Sequence, residues 1–397
     1  MKIADRIARL GTETAFAVSG EAAAHIAKGH RVFPFHLGDM NLPTPSVVVD
    51  ASIQAIRDGK TGYCPPAGVP LLRETLAADI SATHQMEYTM ENVAIQPGGK
   101  PVIGKFFQAL MNPGDEALYP NPGYPIYESQ IEYLGGVALP YGYIEANGRF
   151  AIDFDSIERQ ITPKTRFLVL NDLQNPIAAE CTAEEHQRLA ELVLRHDLMV
   201  LCDEAYFEMR YSGTSVSFAK QPGMQERCIL LYTFSKKFAM TGWRLGAAIG
   251  PKPVIDVIAK LNVNAESCSS HFMQYGAVAG LTGDQTEVKG LLATLQARRD
   301  AAVHALNRIE GITCGRPDAT FYLFPNVTKA MAAKGMTDYE SFRRAALEAT
   351  GVSFCSRIHF GRMLPGETER YIRFAYSGIN VDDIQEGLAR FQSWIEA

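Results

Sequence analysis

Within the 397-residue chain, the residues best placed to do chemistry are a carboxylate and an amine, Asp203 and Lys236. Asp203 closes the apolar run Met199–Cys202, and Lys236 lies just past the apolar run Ile229–Tyr232. Open α/β sheets gather ligand-binding groups at the carboxyl ends of their strands, so the two fall on one edge. A pair of opposite charges there can be a plain salt bridge. It can equally be a lysine nucleophile with a nearby anion, ready to condense with a carbonyl. The neighbours bear on that choice. Thr233 and Arg244 flank Lys236, bringing a hydroxyl and a guanidinium whose fork suits phosphate. Upstream, Gln96-Pro97-Gly98-Gly99-Lys100 follows another apolar run and opens a helical pattern. Backbone N–H groups of Gly98, Gly99 and Lys100 would meet an anion at the positive end of that helix. Taken alone, such a glycine pair is a weak signal.

A lysine that holds pyridoxal phosphate needs three companions: an anion for the ring nitrogen, cations and hydroxyls for the phosphate, and a flat partner for the ring. The chain carries candidates for each, and further landmarks follow in order. They are Tyr63 in Thr61-Gly62-Tyr63, then Gly68–Glu74, Pro97–Lys100, Pro120-Asn121-Pro122-Gly123-Tyr124-Pro125-Ile126-Tyr127 and Asn175-Pro176. Asp203–Tyr206, Ser235-Lys236, Arg244 eight residues after the lysine, and Tyr371-Ile372-Arg373-Phe374-Ala375 complete the series. In this order, and along nearly its whole length, the sequence resembles the class I/II aminotransferases, which are fold type I pyridoxal-phosphate enzymes. The resemblance implies an α/β fold: a large domain on a mostly parallel seven-stranded sheet, plus a smaller α+β domain.

Carried over position by position, the resemblance assigns roles. Lys236 is the residue that binds the cofactor aldehyde and shuttles a proton; Lys237 lacks the eight-residue spacing to Arg244. Asp203 pairs with the ring nitrogen, where two charges about 4 Å apart interact by about 4 kcal/mol at an effective dielectric of about 20. Tyr206 and Asn175 bond the ring hydroxyl oxygen, and Tyr124 stacks on the ring. Gly98, Gly99, Lys100 (through its main chain), Thr233, Ser235 and Arg244 form the phosphate group. Tyr63 resembles the family tyrosine that reaches the phosphate of the neighbouring subunit, which implies a homodimer with shared active sites. Arg373 clamps the substrate α-carboxylate, helped by Asn175 and the Gly38 backbone. The implied activity is reversible transfer of an amino group from an amino acid to a 2-oxo acid. The same residues would also serve a lyase, cyclase or oxidase.

Two stretches depart from the family pattern. Its usual Asn-Pro-Thr-Gly reads Asn175-Pro176-Ile177-Ala178, and its common Gly-Glu-Pro-Asp-Phe reads Gly38-Asp39-Met40-Asn41-Leu42. Members specific for dicarboxylates often place a second arginine ahead of a long helix, and Asn264–His271 holds none. That favours a neutral or aromatic amino donor. Phe16, His36, Phe321 and Tyr322 are candidates for its side-chain pocket.

These groups need a scaffold. Between residues 48 and 250, helical patterns alternate with the short apolar runs Val93–Ile95, Glu116–Tyr119, Phe167–Leu170, Met199–Cys202, Ile229–Tyr232 and Ala247–Ile249. That alternation predicts a largely parallel sheet covered on both faces. A helical region over 254–310 follows, then short strands (Phe321–Phe324, Tyr371–Ala375) among helices (Asp338–Thr350, Val381–Glu396). Before it all, a helix is expected over Ala22–Lys28. The domains are placed at 46–289, and at 1–45 with 290–397. The length suits two domains, and 47% hydrophobic residues suffice for their cores. A net charge of −6 lacks the positive excess of a nucleic-acid binder. About 30 residues before Val32, with no basic helix-turn-helix, argue against a DNA-binding regulator. The spacing Gly242-x-x-x-Gly246-x-x-x-Gly250 does not fit a dinucleotide fingerprint. No apolar stretch is long enough for a membrane span, and no histidine pair has metal-ligand spacing. Seven scattered cysteines and a charged N-terminus without a signal-peptide core predict a cytoplasmic protein with reduced thiols.

Overall fold

A computed structural model describes residues 1–11, 13–146 and 148–397. Its centre is a seven-stranded sheet in the order Val93–Gln96, Gly246–Ile249, Cys228–Thr233, Met199–Asp203, Thr165–Leu170, Glu116–Pro120 and Val137–Tyr141. All strands run parallel except Gly246–Ile249, which is antiparallel to both neighbours. The α/β expectation therefore holds, and the alternation along each strand explains the unbroken apolar runs. Leu168, Leu170, Val200, Cys202, Leu230 and Tyr232 pack into one buried cluster. The intervening Phe167, Val169, Leu201, Ile229 and Leu231 pack into another. Successive side chains point to opposite faces, and here both faces are covered, so the middles of these strands are apolar and polar residues fall at their ends.

The helices that cover the faces are amphipathic. Leu72, Leu76, Leu189, Val193 and Ala277 fill the first cluster. Val102, Ile103, Phe106, Phe107, Ile131, Ile255 and Ile258 fill the second. A separate core gathers the C-terminal elements with Phe33 and Phe35. There Tyr322–Leu323, Ile372–Ala375 and Cys355–Ser356 form an antiparallel three-stranded sheet. Phe33–Pro34 pairs in parallel with Val352–Ser353, which ties the N-terminal segment to this core. The helix Thr286–Leu306 serves both: Val288 belongs to the first cluster, while Leu295, Ala302 and Leu306 belong to the C-terminal one. Among the described residues, no helix is long and apolar enough to cross a membrane.

Three elements differ from the sequence reading. The first long helix is Ala15–Ala27, seven residues longer at its start than expected, and Gly29 follows it at φ +87°. Val137–Tyr141 is a strand despite Pro140, because it lies at the sheet edge, where a missing N–H is tolerated. Tyr143–Ala146 and Arg149–Ile152 form a hairpin of two short, largely exposed strands, so its apolar signal is faint.

The turn after Asn175 keeps the backbone shape of a glycine without having one. Ala178 sits at φ +53°, its N–H bonded to the Gln174 carbonyl at 2.7 Å, while Ile177 is buried against Ala179 and Phe324. A left-handed residue other than glycine costs roughly 1–2 kcal/mol, against roughly 0.4–1 kcal/mol of extra chain entropy for glycine. Ala178→Gly is therefore expected to raise the free energy of unfolding by about 0.5–1 kcal/mol. Denaturant titration checks this, and an unchanged or lower midpoint contradicts it.

Candidate active site

The carboxyl edge of the sheet collects the site. Asp203 ends its strand, Asn171 directly follows Thr165–Leu170, and Thr233 ends Cys228–Thr233. Lys236 sits in the one-turn helix Phe234–Lys237 that comes next. The reversed strand Gly246–Ile249 places its beginning at this same edge, since Gly246 is in register with both Gln96 and Thr233. That reversal is what brings Arg244, two residues earlier, beside Gly98 and Thr233. The C-terminal core contributes Tyr322 and Arg373, and the N-terminal segment contributes His36, Gly38 and Asp39. Together they line a cavity of about 600 Å³.

Asp203 is buried. Its Oδ2 accepts the Tyr127 hydroxyl at 2.6 Å and its Oδ1 accepts the Ala205 N–H at 3.1 Å. Among the described residues no lysine, arginine or histidine pairs with it. Burial raises its pKa, and the two hydrogen bonds oppose that rise. A buried carboxylate with donors but no cation is matched to a cationic ring nitrogen. Lys236 donates from Nζ to the Gly38 carbonyl at 3.2 Å and lies 5.1 Å from the Phe321 ring centroid. Burial lowers its pKa to about 8, with Arg373 and Arg244 acting in the same sense and Asp39 against them.

The phosphate candidates are assembled as a cradle. Thr233 Oγ1 accepts the Ser235 N–H and donates to Ser235 Oγ at 2.9 Å. Gly98 has φ +104°, and a Cβ there would lie 2.1 Å from Arg244 Nη2; at Gly99 a Cβ would lie 2.8 Å from Leu231. Only glycine leaves this space at the start of the helix Lys100–Leu110. Arg244 is itself left-handed at φ +55°, held by the Nη1–H bond to the Thr241 carbonyl at 2.7 Å. Among the described residues no carboxylate pairs with it, leaving a guanidinium directed at an anion site. The donor set fits pyridoxal phosphate at both ends.

Arg373 is buried. Nη1 donates to Asn175 Oδ1 at 3.1 Å and Nη2 to the His36 carbonyl at 2.6 Å, while Nε has no partner. Tyr206 bonds the Tyr322 hydroxyl at 2.7 Å beneath Lys236. Tyr124 lines the cavity, 5.8 Å edge-on from the Tyr127 ring. The Asp39 loop is anchored too: Thr241 donates to Asp39 Oδ1 at 2.6 Å and Ser377 to the Asp39 carbonyl at 2.6 Å. Of the pocket candidates, Phe16, His36 and Tyr322 line the cavity, whereas Phe321 is fully buried behind Lys236. Tyr63 is not brought to the site. It is 88% exposed and lines a separate outer cleft with Cys268, Ser269, Ser270 and His271.

Sequence reasoning assigned no role to Tyr127, Asn171 or Glu13. Tyr127 stands inside a quoted motif and Asn171 directly follows the apolar run Phe167–Leu170, so their positions were visible but their partners were not. Glu13 lies in the arm before the first long helix, where no local pattern points to a site. It accepts the Tyr124 hydroxyl at 2.5 Å and pairs with Lys100.

This geometry defines a fold type I pyridoxal-phosphate enzyme. Residues 31–391 match the family model for aminotransferase class I and II. The chain is 31% identical to an aspartate aminotransferase of Geobacillus stearothermophilus, over the full length of both. It superposes on the aspartate aminotransferase of Rhizobium meliloti with a TM-score of 0.92 at 28% identity, covering 100% of this chain and 99% of that one. It superposes on the aromatic aminotransferase of Pyrococcus horikoshii OT3 with a TM-score of 0.86 at 26% identity, covering 94% and 98%. The chain belongs to the class I and II aminotransferase family and is a pyridoxal-phosphate-dependent transaminase. Relatives named as transaminases do not favour the lyase, cyclase or oxidase alternative.

The lowered pKa of Lys236 has a measurable consequence. The neutral amine is the form that attacks an aldehyde. Its fraction rises with pH and levels off once the pKa is passed. Capture of pyridoxal phosphate by the cofactor-free protein should therefore accelerate up to about pH 8 and then flatten. Stopped-flow absorbance reads this. A rate still climbing towards pH 10.5, the ordinary lysine value, contradicts it.

Proposed function

We propose that the chain moves the amino group of an L-amino acid with a neutral or aromatic side chain to a 2-oxo acid, with Lys236 as its proton carrier. The observation that carries this reading is one cavity holding a lysine, a cation-free buried carboxylate, a glycine-lined anion cradle and a buried arginine with an unpartnered Nε. Bound cofactor supplies the electron sink for the charge released at the substrate Cα. Asp203, held by Tyr127, keeps a negative charge under the ring nitrogen. Tyr206 and Asn175 serve the ring hydroxyl oxygen, and Tyr124 covers the ring face. Gly98, Gly99 and Lys100 N–H groups, with Thr233, Ser235 and Arg244, hold the phosphate.

Arg373 then binds the α-carboxylate by its fork, with Asn175 fixing the guanidinium plane and Gly38 at the rim. That clamp would turn the Cα–H bond towards Lys236, whose Nζ would accept and hold the proton taken from Cα. The partly neutral amine suits this role. The absence of arginine from Asn264–His271 supports a neutral or aromatic donor, although named relatives include aspartate enzymes.

The same reading extends to the assembly. The large domain is assigned to residues 46–289 and the small one to 1–45 with 290–397. Tyr63, exposed beside Ser270 and His271, fits a homodimer in which it reaches the partner subunit's phosphate. Seven cysteines without disulfides fit a reducing, cytoplasmic setting.

Mixing the holoenzyme with a panel of amino acids and following the cofactor spectrum tests the reaction. Conversion to the pyridoxamine form, reversed by a 2-oxo acid, is expected. Release of ammonia and oxo acid without that conversion would mean a lyase. Lys236→Ala should lose the borohydride-stable cofactor adduct found by peptide mapping of the native protein. An adduct of equal yield on another lysine would refute the assignment.

A further inference from the structure

The roles above leave Glu13 and the ammonium of Lys100 unused, although both line the cavity. The Lys100 ammonium pairs with Glu13 Oε1, and the Tyr124 hydroxyl donates to the same oxygen at 2.5 Å. The ammonium also lies 5.7 Å from the Tyr124 ring centroid, so all three groups meet above the ring tyrosine. Among the described residues Oε2 of Glu13 accepts no hydrogen bond, and the side chain keeps 18% of its exposure while lining the cavity. The cavity wall therefore presents a carboxylate with free lone pairs. Its nearest cation is already neutralised.

The position of Glu13 is fixed from both sides. Before it, the Ser129 hydroxyl donates to the Gly11 carbonyl at 3.1 Å, and Arg6 Nε donates to the Tyr133 hydroxyl at 3.2 Å. After it, Val18 is fully buried against Cys355 and Phe360, and Phe360 itself lines the cavity. The arm thus holds Glu13 in the cavity from anchors on two separate parts of the fold.

We infer that Glu13 is the specificity-determining residue of the amino-donor pocket. It occupies Lys100 and faces the incoming side chain with negative charge, so the site turns away dicarboxylic substrates. It takes neutral side chains and favours those ending in a hydrogen-bond donor. An acidic side chain gains Lys100 only by breaking an existing pair and leaving Glu13 beside it, a like-charge contact in a half-buried site. A donor-bearing side chain meets an acceptor already in place and disturbs nothing. This inference rests on Arg373 as the α-carboxylate clamp, which leaves the Glu13 side of the cavity for the side chain.

The test uses holoenzyme and single-turnover conversion of the cofactor spectrum, with L-aspartate and L-glutamate against L-phenylalanine and L-glutamine. Glu13→Gln should raise kcat/KM for the two acidic donors by about tenfold or more, the size of one charge-assisted hydrogen bond. The rise should appear mainly in KM, and maleate should bind correspondingly tighter in a spectral titration. A gain of function cannot come from misfolding. Adding Lys100→Gln to Glu13→Gln should erase the gain, because the freed ammonium is its source. Acidic donors no better with Glu13→Gln, or a gain that survives the double substitution, would overturn the inference. So would a native enzyme that prefers the acidic donors tenfold or more. If no amino acid converts the cofactor in the native protein, the transamination reading fails instead, and the two failures are told apart.

Discussion

A buried carboxylate without a cation is the constraint on which the site is built. Asp203 is buried at the end of the apolar run Met199–Cys202, and hydrogen bonds stand in place of a counter-charge: the Tyr127 hydroxyl and the Ala205 N–H. Isolated charges in such surroundings normally neutralise by taking a proton. Here the carboxylate also lines the cavity, which leaves it open to a positively charged ligand atom. Asn171, which donates to the Asp203 carbonyl at 2.9 Å, fixes the backbone of the carboxylate as Tyr127 fixes its side chain.

The second organising feature is the direction of a single strand. Had Gly246–Ile249 run parallel to the others, Arg244 would lie at the opposite edge of the sheet. Its reversal sets a guanidinium next to Gly98 and the Thr233 hydroxyl without any loop crossing the site. Residues 98–100 and, more than 130 positions later, Thr233 and Arg244 then converge on one candidate anion site, each from the end of an element. Rigid supports of this kind hold catalytic groups more closely than loops do.

Much of this was legible in the sequence because it is local. Every strand end that carries a site residue is an apolar run followed by a polar residue, and Asp203, Thr233 and Lys236 are read that way. Gly98 and Gly99 were legible as a glycine pair between an apolar run and a helix start, whereas the closeness of Arg244 to Gly98 and of Leu231 to Gly99 needed coordinates. Pro140 hid an edge strand, since proline is read as a breaker unless the strand's place in the sheet is known. The hairpin of Tyr143–Ala146 and Arg149–Ile152 was hidden by its short strands and its exposure. Glu13 was illegible for a deeper reason. Its partners Lys100 and Tyr124 are separated from it by 87 and 111 residues, and no spacing rule reaches that far. Ala178 shows the converse, where the departure from glycine was visible but the conserved backbone shape needed coordinates.

The pairing of Phe33–Pro34 with Val352–Ser353 has a consequence in time. His36 receives the Arg373 guanidinium from 337 residues further along the chain, and Gly38 and Asp39 stand beside it. During synthesis, the seven strands of the main sheet are all complete by residue 249, long before residue 352 is made. The main sheet can thus collapse while the ribosome is still working, yet residues 33–39 must wait, without their strand partner, for nearly the whole polypeptide. The candidate phosphate cradle is then an early product of folding and the proposed carboxylate clamp a late one. A nascent chain interrupted before residue 352 would carry the former without the latter.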